Sequence, residues 1–209
     1  MSRAAFLVLD GLDGTGKTTQ CRLLAERLRA GGHEVVTCID PGGTALGNLL
    51  RELLLHHQGD IEPASEALLF MASRAQLVHE VIRPALAANR IIVSDRFLLA
   101  NIVYHGHAGS VDVEQLRQAE QLSTGGLEPD LTLVLDLSVE EAEARRGRRA
   151  DRMESRGRAF QQRVRDGFLA EARRRPERVR VIDATPGVEV VHEAVWREVT
   201  HVLATGSRP

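Results

Sequence analysis

The chain has 209 residues, of which 27% are charged and 43% hydrophobic, as in ordinary soluble globular proteins. Its formal net charge of −2 gives no electrostatic reason to expect nucleic acid as a partner, and no apolar run is long enough to span a membrane. The sequence leaves no room for a secretory signal before the first predicted strand, so we expect a cytoplasmic protein. We interpret residues 1–209 as a single domain.

The most informative stretch is residues 11–19, which follow the first predicted strand at residues 5–9. It matches the pattern G-x-x-x-x-G-K-[ST] at every fixed position. Apolar residues at 21, 24, 25 and 28 then predict an amphipathic helix. Between a strand and a helix, such a loop presents backbone N–H groups and the helix N-terminus to phosphate oxygens. We therefore predict that ATP phosphates bind to Gly11, Leu12, Asp13, Gly14, Thr15, Gly16, Lys17, Thr18 and Thr19.

Two side chains of this loop have predicted chemical roles. Lys17 is expected to reach the β- and γ-phosphates, and Thr18 to offer its hydroxyl to Mg²⁺. Lys17 is the sole lysine among the 27 Lys and Arg residues. A compact ammonium suits a tight backbone cradle, whereas the broad guanidinium of arginine does not.

The rest of the chain alternates strands and helices. Further strands are predicted at 34–39, 91–94, 131–136 and 179–183. Helices are predicted at 46–56, 63–86 (with Pro84 as a possible kink), around 98–104, 112–122, after Ser138, at 160–174 and at 188–204. This alternation predicts an α/β fold of three layers, with a five-stranded parallel sheet and helices on both faces. Together with the phosphate loop, it predicts the P-loop NTPase fold.

Polar features follow four of these strands. They are the phosphate loop, the turn at 40–44, the pair Asp95-Arg96 and the pair Ala184-Thr185. Because ligands of open parallel sheets bind at the carboxyl ends of the strands, we expect all four to meet in one cleft. Asp95 is then well placed to hold Mg²⁺ through water.

Six motifs in succession identify a family. They are Asp40-Pro-Gly-Gly-Thr44, Phe70-x-x-x-Arg74, Asp95-Arg96 followed by Asn101 and Tyr104, Pro129-Asp-Leu-Thr132, Asp151-Arg-Met-Glu154 and Ile182-Asp-Ala-Thr185. In this order and spacing the chain resembles the thymidylate kinases of the nucleoside-monophosphate kinase group, over nearly its whole length. The resemblance implies transfer of a phosphoryl group from ATP, with Mg²⁺, to dTMP, which gives dTDP and ADP.

The resemblance also implies roles for individual residues. Arg74 is expected to contact the acceptor nucleotide, and Arg96 to hold its phosphate near the donor. Phe70 matches the ring that stacks on thymine, Asn101 a residue that reads the base edge, and Tyr104 the ring under the deoxyribose. Asp13 matches a carboxylate that binds the 3′-hydroxyl or helps to order the metal. Ala184 and Thr185 belong to the expected ATP site.

Several of these residues have simpler interpretations. Phe70 and Tyr104 could be ordinary core residues, Arg74 a surface arginine, and Asp95-Arg96 a strand-end ion pair. His105 and His107 are interpreted as loop histidines, because no third metal ligand is evident.

The arginine-rich residues 145–158 are interpreted as a lid segment over the ATP phosphates, and the alternative is a solvated basic face or a nonspecific RNA contact. In the family a catalytic arginine comes either from the phosphate loop or from the lid. Because positions 12–15 contain no arginine, the lid must supply it. Arg152 is the first candidate, followed by Arg148 and Arg149.

The chain departs from the family pattern at three positions. Ile39 stands where arginine is usual, Ala100 where a hydroxyl residue is common, and His105 where glutamine is frequent. These departures leave open a kinase for another nucleotide or a deoxynucleoside, or a nucleotide-binding module without turnover. The family further implies a homodimer, for which apolar residues of the 63–86 and 98–104 helices could supply a surface.

Overall fold

The computed structural model describes residues 4–146 and 152–205. In these residues five strands form one parallel sheet, as predicted, and the strand order is β2-β3-β1-β4-β5. The strands are β1 (Ala5–Gly11), β2 (Val35–Ile39), β3 (Ile91–Asp95), β4 (Leu131–Asp136) and β5 (Val179–Asp183).

Helices connect the strands. They are α1 (Lys17–Ala30), α2 (Ala45–His56), α3 (Pro63–Leu77), α4 (Arg83–Ala87), α5 (Leu98–Asn101), α6 (Val113–Thr124), α7 (Val139–Arg146), α8 (Arg158–Arg174) and α9 (Val188–Thr205). The predicted caps form, because the side chain of Asp112 accepts from Gln115 N and Ser138 Oγ accepts from Glu141 N.

The sheet is buried on both faces. Alternate side chains of β1 point in opposite directions, so Leu7 and Leu9 enter one apolar cluster while Phe6 and Val8 enter another. The first cluster packs against residues of α1, α8 and α9, and the second against the end of α3 and α4. The predicted three layers are thus present. Within the described residues, no helix is both long and apolar enough to cross a membrane.

Two helices differ from the prediction by containing π-helical turns. The predicted 63–86 helix is α3, a π-helical segment at Val78–Ile82, and α4. Pro84 lacks an N–H and its ring collides with the carbonyl four residues earlier, so the wider turn before it relieves the conflict. The predicted 98–104 helix is the single turn α5 followed by a π-helical segment, Ile102–His107.

Candidate active site

The carboxyl ends of the central strands open into a cleft of about 360 Å³. Three of the four predicted strand-end features line this cleft: the phosphate loop, the turn at 40–44 through Asp40 and Pro41, and Asp95-Arg96. Ala184 and Thr185 are not among the lining residues. They connect to the cleft through Arg145, a lining residue whose guanidinium donates to both of their carbonyl oxygens at 2.7 Å.

The phosphate loop has the backbone conformation that its glycines allow. Gly14 has a φ of +94°, and a Cβ there would lie 2.1 Å from the carbonyl oxygen of Ala142. Within the loop, Lys17 Nζ donates to Leu12 O at 2.8 Å and lies 3.3 Å from Asp13 Oδ1. The ammonium is therefore held at the loop, where the phosphates of a bound nucleotide are expected.

Arg96 joins this loop to β3. One guanidinium nitrogen donates to Asp10 Oδ1 at 3.0 Å and to Gly11 O at 2.9 Å. The other nitrogen donates to Asp13 Oδ1 at 2.7 Å. The backbone φ of Arg96 is +69°, a rare conformation for a non-glycine residue. These contacts place two cations, those of Arg96 and Lys17, at the same carboxylate.

The pKa values of Asp10 and Asp13 are shifted in opposite directions. Burial raises the pKa of Asp10 to about 6, in spite of the nearby cations of Arg96 and Lys17. Burial would also raise the pKa of Asp13, but these same two cations outweigh it and hold that pKa well below its ordinary value. Asp13 is therefore held in its ionised form, whereas Asp10 keeps its proton to a higher pH than an exposed aspartate does.

Thr18 and Asp95, the two residues predicted to hold a metal, lie in contact. Thr18 Oγ1 donates to Asp95 Oδ2 at 2.6 Å, next to Lys17 in the cleft. A hydroxyl and a carboxylate are the hard oxygen donors that Mg²⁺ prefers, and Mg²⁺ commonly takes only one or two protein ligands beside phosphates and water. The residues therefore fit this ion.

The predicted acceptor residues meet on the other side of the cleft. Phe70 is half-buried and lines the cleft together with Arg74, Asn101 and Tyr104. The guanidinium of Arg74 is 1% exposed, so this arginine does not lie on the surface. Its Nε donates to Asp40 Oδ2 at 2.6 Å, and a terminal nitrogen donates to Glu120.

Asn101 is oriented by the same acidic residue. Its Nδ2 donates to Glu120 Oε1 at 2.7 Å, and because a carboxylate only accepts, this contact fixes which amide atom is the nitrogen. Asn101 Oδ1 is buried and has no hydrogen-bond partner in the described residues. The amide therefore keeps an unpaired acceptor beside the cleft.

Tyr104 both packs and lines the cleft. Its ring lies 6.2 Å from Phe160 and 6.3 Å from Phe168, measured between centroids. Its hydroxyl lies 3.4 Å from both Arg96 and Asp13. The interpretation as plain packing is thus incomplete, because the polar end reaches the phosphate-loop cluster.

The residues at the three departures from the family pattern, Ile39, Ala100 and His105, all line the cleft. His105 Nε2 contacts Glu66 Oε2 at 2.9 Å, while His107 Nε2 contacts Glu171 Oε1 at 2.8 Å. The two histidines therefore contact different carboxylates and do not face a common ligand position.

Only part of the lid segment can be compared with its prediction. Arg148 and Arg149 lie outside the described residues. Arg152 Nε donates to Leu54 O at 2.9 Å, and its terminal nitrogen contacts Glu66. Its guanidinium is thus engaged at α2 and α3, while Met153, Arg145 and Arg146 line the cleft. The catalytic assignments of all three candidate arginines stay predictions.

Sequence reasoning missed four residues of this region. Asp10 had a usable signal, because a carboxylate inside an apolar strand next to a phosphate loop requires a cationic partner. Glu66 and Glu120 had none, because their arginine partners are remote in sequence, and Arg51 looked like an ordinary polar residue of a helix. Arg51 lines the cleft and donates to Pro41 O at 2.7 Å, beside Ile39.

Comparisons with known proteins agree with this geometry. The thymidylate kinase family model matches residues 9–195. A thymidylate kinase from Exiguobacterium sibiricum is 43% identical over 97% of each chain, and one from Pelotomaculum thermopropionicum is 44% identical over 96% of this chain and 95% of its own. A crystal structure of thymidylate kinase from Ehrlichia chaffeensis superposes with a TM-score of 0.79 at 32% identity, covering 94% of this chain and 99% of its own. With its phosphate loop, paired arginines and acceptor pocket in one cleft, the chain belongs to the thymidylate kinase family.

Proposed function

We propose that this protein transfers the γ-phosphoryl group of ATP to the 5′-phosphate of dTMP, giving dTDP and ADP. The observation that carries the proposal is the position of Arg96, which is held by Asp10 and Asp13 between the phosphate loop and the acceptor pocket. A planar guanidinium there suits an acceptor that already bears a phosphate. The names of the relatives support thymidylate as that acceptor.

The acceptor pocket favours a pyrimidine with an N–H on its base edge. Phe70 offers a half-buried ring for stacking, and Asn101 keeps an unpaired oxygen acceptor. Thymine has a donor at N3, which complements this oxygen, whereas cytosine has an acceptor at N3. Arg74 then acts from the buried wall of the pocket as the acceptor-side contact that the sequence predicts.

The reaction needs positioning and charge stabilisation, and no covalent intermediate. Lys17 and the loop N–H groups hold the donor phosphates, and Arg96 holds the acceptor phosphate against them. Asp13 orders both cations before the substrates arrive. Thr18, and Asp95 through water, would hold Mg²⁺, which would supply positive charge beside the transferring group.

A further arginine is expected to stabilise the transferring group. Arg152, Arg148 and Arg149 remain the candidates, in that order. Arg145 and Arg146 already line the cleft at the carboxyl end of α7, so the start of the lid segment borders the nucleotide site.

We infer a homodimer from exposed leucines. Leu46, Leu49 and Leu53 of α2 are 45%, 70% and 44% exposed and lie on one helical stripe, and Leu68 of the packed neighbour α3 is 59% exposed. The predicted contribution of the 98–104 helix is wrong, because Leu99, Ile102, Val103 and Tyr104 are buried inside the chain. The single-domain organisation and the cytoplasmic location stay predictions.

A coupled assay of ADP release tests the function. The panel contains dTMP, dUMP, dCMP, dGMP, dAMP and thymidine, each with ATP and Mg²⁺. We expect the highest kcat/KM with dTMP and little turnover with dCMP or thymidine. Binding of ATP without ADP release for dTMP would contradict the proposal, and preference for another acceptor would reassign the pocket.

Arg96→Ala provides a second test. Turnover should fall by two or more orders of magnitude, because charge developing on the transferring group loses a preorganised donor worth about 3–4 kcal/mol. ATP affinity should change by less than about threefold. The control is Arg90→Ala, which removes an exposed arginine at the start of β3. Equal losses of turnover and ATP affinity in the Arg96 variant would show that its role is misassigned.

A further inference from the structure

Glu66 is a buried carboxylate for which the proposed reaction has no task. It lies in α3 with 0% of its surface exposed. Oε1 accepts from Arg152, and Oε2 accepts from Arg156 at 2.6 Å and lies 2.9 Å from His105 Nε2. One carboxylate thus meets side chains from two other parts of the chain.

The first of these parts is the anchor segment, defined here as residues 152–156. Besides Glu66, it is held by Leu54 O, which accepts from Arg152, and by Gln161, which donates to Met153 O at 3.2 Å. Met153 is 5% exposed and lines the cleft. The position of the anchor segment therefore determines the position of Met153 in the cleft wall.

The second part is the acceptor pocket. His105 Nδ1 lies 3.3 Å from Asn101 O, and the His105 ring lies 5.3 Å from the Phe70 ring, between centroids. Phe70 also follows Glu66 by one helical turn, on the same face of α3. Glu66 therefore contacts the wall of the pocket and the anchor segment at once.

The charge of Glu66 is what holds this junction together. Burial would raise the pKa of Glu66, but the hydrogen bond and charge of His105, together with Arg156 and Arg152, lower it to about 2. The side chains of Arg152 and Arg156 are 17% and 28% exposed, so both can become hydrated if the carboxylate is neutralised. Loss of this charge is then expected to release the segment while the core remains folded.

We propose that Glu66 is a positioning residue that couples docking of the anchor segment to occupancy of the acceptor pocket. A bound nucleoside monophosphate restrains Phe70 and His105. His105 in turn restrains Glu66, and Glu66 restrains Arg152 and Arg156. By linkage, the docked segment strengthens acceptor binding by the same factor. This inference rests on the proposed function, since the ligand is its acceptor.

The test compares Glu66→Gln with Glu52→Gln, a control with the same charge change at an exposed residue of α2. In Glu66→Gln we expect the KM for dTMP to rise about tenfold or more, and the KM for ATP to change less. In the control both stay within about twofold. Arg156→Gln, which alters the exposed end of the contact, should reproduce the effect on dTMP even if Glu66→Gln folds poorly.

Trypsin supplies a readout that a merely structural role would not move. Cleavage after Arg152 and Arg156, identified by mass spectrometry, should slow severalfold when dTMP is added to the wild type. That protection should disappear in Glu66→Gln and persist in Glu52→Gln. The double variant Glu66→Gln/Arg156→Gln should be no worse than either single variant, because the residues act as a unit.

Two results would overturn the inference: unchanged KM for dTMP in a folded Glu66→Gln, or protection by dTMP that survives the substitution. Failure of the proposed function is distinguishable, because protection needs no turnover. Protection of the wild type by dTMP that is lost in Glu66→Gln, together with no ADP release from dTMP and ATP, would uphold the coupling and reject the reaction.

Discussion

Arg74 offers the sharpest test of how the acceptor pocket is built. Its guanidinium is 1% exposed between Asp40, which is 0% exposed at the side chain, and Glu120, which is 4% exposed. Arg74→Met keeps most of the apolar stem and removes the cation. Both carboxylates then lose their buried counter-charge, which is the most costly way to disturb such a network.

The expected cost follows from this burial. Removing one partner of a buried pair destabilises a protein by about 3–5 kcal/mol, because an uncompensated charge remains. For a chain of this length, that corresponds to a fall in Tm of about 6–20 °C. Burial already raises the pKa of Asp40, so protonation of Asp40 relieves part of the cost as the pH falls. The difference from wild type should therefore shrink in acid.

Urea unfolding of matched variants measures this cost. Arg90→Met is the control, since it breaks an exposed pair with Glu34, with side chains 47% and 73% exposed, and should cost about 0–1 kcal/mol. Adding Asp40→Asn and Glu120→Gln to Arg74→Met should restore part of the lost stability, because no buried charge remains. If Arg74→Met costs no more than Arg90→Met at neutral pH, the network does not hold the pocket and the reasoning fails.

Two further predictions concern the phosphate-loop cluster and the exposed leucines. Burial raises the pKa of Asp10 in the folded protein from 3.8 to about 6, so the folded protein binds this proton more tightly than the unfolded chain does. As the pH rises between those values, the free energy of unfolding therefore falls. The difference between wild type and Asp10→Asn should show that slope, and a difference independent of pH would contradict it. Leu49→Glu should weaken the dimer by about 100-fold or more, because a two-fold interface loses a buried leucine from each protomer. Light scattering should show that the Leu49→Glu variant is monomeric, whereas the control Val190→Glu on α9 should stay dimeric. A dimer that survives Leu49→Glu would place the interface elsewhere.

Features with local causes were predictable from the sequence. The phosphate loop, the strand at 131–136 and the caps at Asp112 and Ser138 each depend on a few neighbouring residues, and the structure confirms them. The convergence of strand ends followed from one general rule of parallel sheets. The π-helical turn before Pro84 has a local cause too, but it shifts register without breaking the helical pattern that the prediction used.

Features that depend on remote partners were not predictable. Arg74 lines the cleft, and its acceptor role stays a prediction, but Glu120, which stands 46 residues away, gives no sign in sequence that it will meet this arginine. Glu66 looks like one more polar residue of an amphipathic helix, although its partners Arg152 and Arg156 lie about 90 residues further on. Such pairings are decided by tertiary packing, which periodicity does not contain.

The formal charges around the phosphate loop explain why the site needs help from elsewhere. Lys17 and Arg96 contribute two positive charges, and Asp10, Asp13 and Asp95 contribute three negative ones when ionised. The cluster therefore has no net positive charge to attract phosphate. Its hydrogen bonds orient the side chains of Lys17 and Arg96. Two phosphate-bearing substrates add further negative charge, and repulsion between them must be overcome for transfer.

The additional positive charge must therefore come with the ligands or from another part of the chain. On the proposed function, Mg²⁺ at Thr18 and Asp95 would supply part of it. The predicted lid segment, whose residues Arg145 and Arg146 line the cleft, is the other proposed source. On this reasoning an arginine inside the phosphate loop is dispensable, provided that the segment docks. On the coupling proposed above, Glu66 holds Arg152 and Arg156 at the acceptor side, so acceptor binding would set how close the arginines nearer to α7 stand to the donor phosphates.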